Sequence, residues 1–200
     1  VVAPPAEGAA IGDLGWVEPP WSLMVRILGP VEVCDRMGAV ASFERSKALE
    51  LVVWLSQHRD RSTRTAARTA LWEIDVRDAT FANVVSDARR ALARLSANVD
   101  DDEWIPRTLT EQLPMHHNVV TDADLLRMRF EHARTQCAAD AIHTLRPGLE
   151  LVRDQVFFGT GYLWTDAEGV TSQLTVLVTS ATSVLAGHYL ALGDIDGVFW

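Results

Sequence analysis

The chain is poor in the residues that most secreted and catalytic proteins rely on. Its 200 residues hold two cysteines, Cys34 and Cys137, far apart and without a C-x-x-C pair. That excludes a disulfide framework and a cysteine zinc site, and it points to a reducing, cytoplasmic compartment. Basic residues are outnumbered, 18 against 27 acidic, and the net charge of −9 excludes nucleic-acid binding through bulk charge. Lysine is almost missing: Lys47 stands alone among arginines, a bias that suits bidentate contacts or follows from a GC-rich genome. The Ala/Pro-rich start has no basic region before an apolar run, so it is not a signal peptide.

Charge is also absent from Val170 to Gly193, as in a membrane span. Thr171, Ser172, Gln173, Thr175, Thr179, Ser180, Thr182, Ser183 and His188 are interspersed there, however. Leu174, Leu177, Val178, Ala181, Val184, Leu185 and Leu192 trace one helical stripe. A packed amphipathic helix without membrane contact is the reading.

Catalytic and metal constellations are missing too. His116 and His117 are adjacent, so on a strand they point to opposite faces and cannot chelate one ion. Asp100-Asp101-Asp102 lacks the spaced ligands and turn glycine of a calcium loop. Gly159-Thr160-Gly161 is a lone G-x-G without the third glycine of a nucleotide fingerprint. One helix–loop cannot arrange His58, Asp60 and Ser62 as nucleophile, base and orienter. An enzyme is therefore not expected, and neither is a cofactor.

What the chain does have is local basicity and periodicity. Residues 43–95 carry ten basic against seven acidic residues, whereas 122–200 carry a net −5. Residues 1–22, with Pro4, Pro5, Pro19 and Pro20, read as a linker. The linker at the start, and apolar residues still running at Val198-Phe199-Trp200, suggest a piece of a longer protein. Leu23–Leu28, Val31–Cys34 and Ala39–Ser42 read as three strands of a small antiparallel sheet. Ser42 is placed to cap a helix over Phe43–His58, and Ser62 or Thr63 a shorter one over Arg64–Leu71. Trp104–Leu109 and Leu113–Val120 read as a β-hairpin after an acidic loop. From Asp122 onward the pattern is helical, with Pro147-Gly148 bending or breaking a helix over Ala138–Leu151 and an aromatic loop over Val156–Trp164. The Leu-Gly-Asp ending near 192–194 has a tetratricopeptide rhythm.

Thr80–Leu95 is the most informative stretch. At 3.6 residues per turn, Phe81, Val84, Val85, Ala88, Leu92 and Leu95 share one side. Asn83, Asp87, Arg90 and Arg94 lie opposite, with Arg89 on the flank. Thr80 can cap its start. A buried face backed by an amide and guanidiniums is how a DNA-reading helix looks, apart from Asp87.

Leu28-Gly29-Pro30-Val31-Glu32-Val33, Lys47–Leu55, Leu71-Trp72 and Ala88-Arg89-Arg90-Ala91-Leu92 resemble the OmpR-type winged helix-turn-helix of actinobacterial SARP-type activators. Val152-Arg153, Phe157-Phe158-Gly159, Tyr162-Leu163-Trp164 and Leu190–Asp194 resemble the bacterial transcriptional activator domain (BTAD) that follows it in those proteins. The resemblance covers about residues 24–200. It implies an α+β fold, a winged helix over 23–121 and an all-α, tetratricopeptide-like domain over 122–200. It also implies a transcriptional regulator binding double-stranded DNA through Asn83, Arg89, Arg90 and Arg94, with Arg107 on the wing. The family's reading helix is usually more basic than this one. The alternative is a protein–protein interaction module that keeps this scaffold. It would use Phe157, Phe158, Tyr162 and Trp164 toward a protein partner, or form a homodimer through the helical domain.

Overall fold

The computed structural model describes residues 16–95 and 103–199. The Asp100–Asp102 run therefore lies outside the described residues.

Two short strands, β1 (Leu23–Arg26) and β2 (Glu32–Asp35), pair antiparallel with Val25 opposite Val33. The Gly29-Pro30 turn between them works because Gly29 takes φ 147°, and a Cβ there would lie 3.0 Å from that of Arg153. The expected third strand at 39–42 forms no ladder and meets β2 in one isolated bridge, Val40 opposite Cys34, flanked by hydrogen bonds from Ala41 N to Val33 O and from Asp35 N to Ala39 O. Asp35 instead closes a tight turn by accepting from the amides of Met37 and Ala39. The third strand is β3 (Val119–Thr121), which pairs parallel with β1, Met24 opposite Val120. The antiparallel sheet expected from the sequence is thus mixed, in the order β2-β1-β3. A parallel neighbour must arrive after a long crossover, here the whole helical segment.

That segment holds α1 (Ser46–Gln57), α2 (Arg64–Leu71) and α3 (Asp78–Leu95). Helix α1 begins three residues later than expected. Its N-cap is Arg45, whose donor-only side chain cannot cap, and the Arg45 amide donates to Asp87 of α3 at 2.9 Å. Thr63 caps α2 by accepting from the Ala66 amide. Helix α3 starts at Asp78 rather than at Thr80.

The expected hairpin over 104–120 does not form as a ladder. Pro106 and Pro114 remove a donor from each run. The loop is held instead by His116 N to Trp104 O and by Leu113 N to Ser62 O. Arg59 donates to the carbonyls of His116 and Val119.

Thr121 ends β3 and caps α4 (Asp122–Ala133) in a capping box with Asp124. Helices α5 (Ala138–Leu149), α6 (Leu163–Ala167), α7 (Val170–Ala191) and α8 (Ile195–Val198) follow. Pro147 sits within the last turn of α5, and that helix stops at Leu149. Gly148 lets α4 and α5 approach: a Cβ there would meet Leu126 Cδ1 at 3.2 Å. In α7, Leu174, Ala181 and Leu185 face inward as the stripe predicts, while Leu192 lies exposed just beyond the helix. It is also the one described helix long and apolar enough to cross a membrane. Its exposed Thr175, Thr179, Thr182 and Ser183 donate back to carbonyls four residues earlier.

One continuous core runs from β1 through α1 and α3 to α4, α5 and α7, with Leu23, Leu51, Leu55, Leu92, Leu126, Leu145 and Leu174 all buried. Burying one such leucine contributes about 1.5–3 kcal/mol. Residues 16–22, in the stretch read as a linker, lie against α4. Glu18 pairs with Arg129 at 3.0 Å, and Arg129 stacks over Trp16.

Candidate nucleic-acid interface

Helix α3 buries Phe81, Val84, Val85, Ala88, Ala91 and Leu92 against α1 and the adjoining loops. This leaves Asn83, Arg90 and Arg94 exposed on one side. Asp87 does not join them. It is 0% exposed, a correction to its expected outward placement. On the helical wheel it sits at the edge of the polar row, and the first turn of α1 covers that edge. There Asp87 accepts from the Arg45 amide and lies 3.6 Å from the Arg90 guanidinium. A carboxylate at a helix N-terminus is favoured by the free amides and the helix dipole. Asp87 is thus an anchor between α3 and α1.

Arg89 occupies the other flank and turns inward. Its Nε donates to Ile105 O at 2.8 Å and its Nη2 to Pro106 O at 2.9 Å. Burial lowers its pKa, the nearby Glu103 opposing. Arg107 is exposed on the loop after α3 and pairs with Glu103. The structure brings Asn83, Arg90 and Arg94 together and sets Arg89 and Arg107 apart from them, around the 103–107 loop.

One residue absent from the sequence reading belongs to this surface. Glu44, in the turn before α1, accepts from Arg90 Nη2 at 3.2 Å and from Arg94 Nη2 at 3.4 Å. Arg64 begins α2 and Arg77 precedes α3, and neither guanidinium has a hydrogen-bond or ion-pair partner among the described residues. Glu44 carried no signal in the sequence, since its partners are 46 and 50 residues away.

The aromatic residues proposed for a partner do not share a surface. Phe157 and Trp164 are buried, Tyr162 is half-buried and stacks on Trp164, and Phe158 is 49% exposed. The Phe157 and Phe158 amides donate to Ile27 and Gly29, so this segment docks on the end of β1. His116 and His117 stack at 4.3 Å instead of pointing apart, and no group of three metal-binding side chains occurs among the described residues.

Behind α2, an open cleft of about 1150 Å³ separates α1 and α2 from α6. Lys47 reaches Glu50 at 2.6 Å on one wall, and burial pushes the Glu50 carboxyl up against the pull of that ammonium. At the far end of the same wall, His58 is wedged between Trp54 O (2.8 Å, through Nδ1) and Glu168 Oε2 (2.7 Å, through Nε2). The pair ties α1 to the end of α6.

No protein-family profile matches the chain, and no curated protein matches it in sequence. Among solved structures it is similar to Mycobacterium tuberculosis EmbR, solved in complex with a low-affinity phosphopeptide. The TM-score is 0.67 at 20% identity, over 88% of this chain and 48% of that one. The chain thus spans about half the length of EmbR, and at this identity the likeness establishes a common fold: a small sheet and helices arranged as in EmbR.

Proposed function

We propose that the chain is the DNA-binding part of a SARP-type transcriptional regulator, with a winged helix over 23–121 and a tetratricopeptide-like BTAD over 122–200. The observation that carries this reading is the exposed Asn83–Arg90–Arg94 row on an 18-residue helix that follows α2 through a short connector. Asn matches adenine and Arg matches guanine or phosphate in a major groove, and the α2–α3 order is that of a helix-turn-helix. The EmbR-like fold supports the same reading. Arg89 supports the helix from behind and Arg107 flanks it. Neither chemistry nor a cofactor is assigned.

A second reading, a protein-interaction module on the same scaffold, is favoured by one observation. Arg90, Arg94 and Arg107 are each already paired with a carboxylate. Its contact surface would be Phe158 with the exposed Leu190, Leu192, Ile195 and Phe199 around the end of α7, facing a protein or a second copy.

Gel-shift and filter binding to genomic fragments, at low and at physiological salt, separate the two. Salt-dependent retention of duplex that weakens in Arg90→Ala supports the regulator. No retention even at low salt rejects it and leaves the interaction module.

A further inference from the structure

Arg90 and Arg94 are one turn apart on α3, so a single carboxylate can span both, and Glu44 does so. Glu44 also lies 3.8 Å from Arg45, whose guanidinium is 4.0 Å from the buried Asp87. Three guanidiniums and two carboxylates therefore share this corner. Asp87 is sealed beneath it and cannot be displaced. Glu44 is about half exposed and comes from a turn rather than from a helix.

From this arrangement we infer that Glu44 is a removable mask on the α3 arginines that sets how tightly this face holds a polyanion. The inference rests on the DNA-binding reading for the identity of that polyanion. An exposed ion pair is worth about 0–1 kcal/mol, so the mask is weak by construction. A phosphate diester that offers two oxygens to a guanidinium competes with it directly. Each guanidinium that then meets a phosphate releases condensed counterions. While Glu44 holds both, loose encounters with any duplex are suppressed, and contacts made only in a well-fitted groove are left to compensate. Glu44 therefore determines selectivity against non-specific duplex without touching a base.

The test uses the full chain and three variants: Glu44→Gln; Glu131→Gln, which removes equal charge at an Arg134 pair on α4; and Glu44→Gln with Arg90→Ala and Arg94→Ala. Anisotropy with a random-sequence duplex is followed across a salt series, together with salt elution from heparin. Because the Glu44 pairs are at the surface, the variants remain folded, which circular dichroism checks. Glu44→Gln should bind the duplex about 5-fold more tightly at low salt, the equivalent of roughly 1 kcal/mol over two pairs. Its log–log salt slope should be steeper by about one to two, and it should leave heparin at higher salt. Glu131→Gln and the triple variant should show neither change. The inference is overturned if Glu44→Gln holds neither duplex nor heparin more tightly than the wild type, if Glu131→Gln matches it, or if the gain survives loss of both arginines. If no variant retains duplex while Glu44→Gln alone elutes later from heparin, the DNA reading fails and the mask stands.

Discussion

Asp122 is the residue whose replacement the structure makes most consequential. Its side chain is buried at the first position of α4, and its two oxygens accept from the amides of Ile27, Leu28 and Ala123 at 2.9–3.0 Å. Replacing it with Ala leaves three buried N–H groups without partners at the point where β1 ends. Each such group costs about 1–3 kcal/mol, partly offset by removing the desolvated carboxylate, so a net loss of roughly 3–5 kcal/mol is expected. That is a large share of the roughly 5–15 kcal/mol that holds a folded domain. Urea unfolding should show it directly, and thermal unfolding should fall by about 10 °C.

Asn in place of Asp adds a pH test. Burial pushes the Asp122 carboxyl up from 3.8 to about 6, against the pull of its three amide donors. A raised folded-state pKa means that this group's contribution is fully present below about 3.8 and is lost as pH rises through about 6. The span corresponds to about 3 kcal/mol. Asn does not titrate, and the other acids cancel in the comparison. The stability difference between wild type and Asp122→Asn should therefore shrink by up to that amount between pH 4 and pH 7. A difference that is flat, or that grows with pH, would refute the reasoning: it would mean that the amides and the α4 N-terminus outweigh burial.

Other expectations follow from single contacts. Asp87→Ala strips the acceptor from the Arg45 amide and should cost about 1–3 kcal/mol in urea unfolding; a cost under a few tenths would show that the anchor is idle. Arg90→Ala and Arg94→Ala should each weaken duplex binding and flatten its log–log salt slope by about one, read by anisotropy over a salt series. Asn83→Ala should change sequence preference with little change in that slope. His58→Gln and Glu168→Gln should each destabilise by about 1–2 kcal/mol and be strongly non-additive in a double-mutant cycle, because they share one buried contact; additivity would show that no latch joins α1 to α6.

The helices were legible because each carries a continuous apolar stripe. Leu51, Val52 and Leu55 in α1 and Phe81, Val84, Ala88 and Leu92 in α3 are buried as periodicity requires. The sheet was harder. Val119–Thr121 looks like the second arm of a hairpin, and nothing local says that it prefers β1, 96 residues earlier, to its neighbour Trp104–Leu109. The two prolines that disable the hairpin ladder were visible, whereas the alternative pairing was not. Asp87 was misplaced for a related reason: a helical wheel ranks residues by angle, and at the edge of the polar row the neighbouring helix decides. The exposed row Asn83, Arg90 and Arg94 of the candidate site was legible as one helix face, but its counter-charge was not, since Glu44 reaches it only through the fold.

The two flanks of α3 bear on how such a helix could evolve. Asp87 and Arg89 are two residues apart, about 200° around the axis, so they face opposite ways. One is tied to the start of α1 and the other to the carbonyls of Ile105 and Pro106. Together they act as stays on a spindle, fixing the roll of the helix and therefore which side chains form its outward row. On the DNA-binding reading proposed above, a swap at Asn83 or Arg90 would change one letter of what that row reads. Loosening either stay rotates the row, altering every letter at once. Drift in recognition is then available one position at a time only while both stays hold.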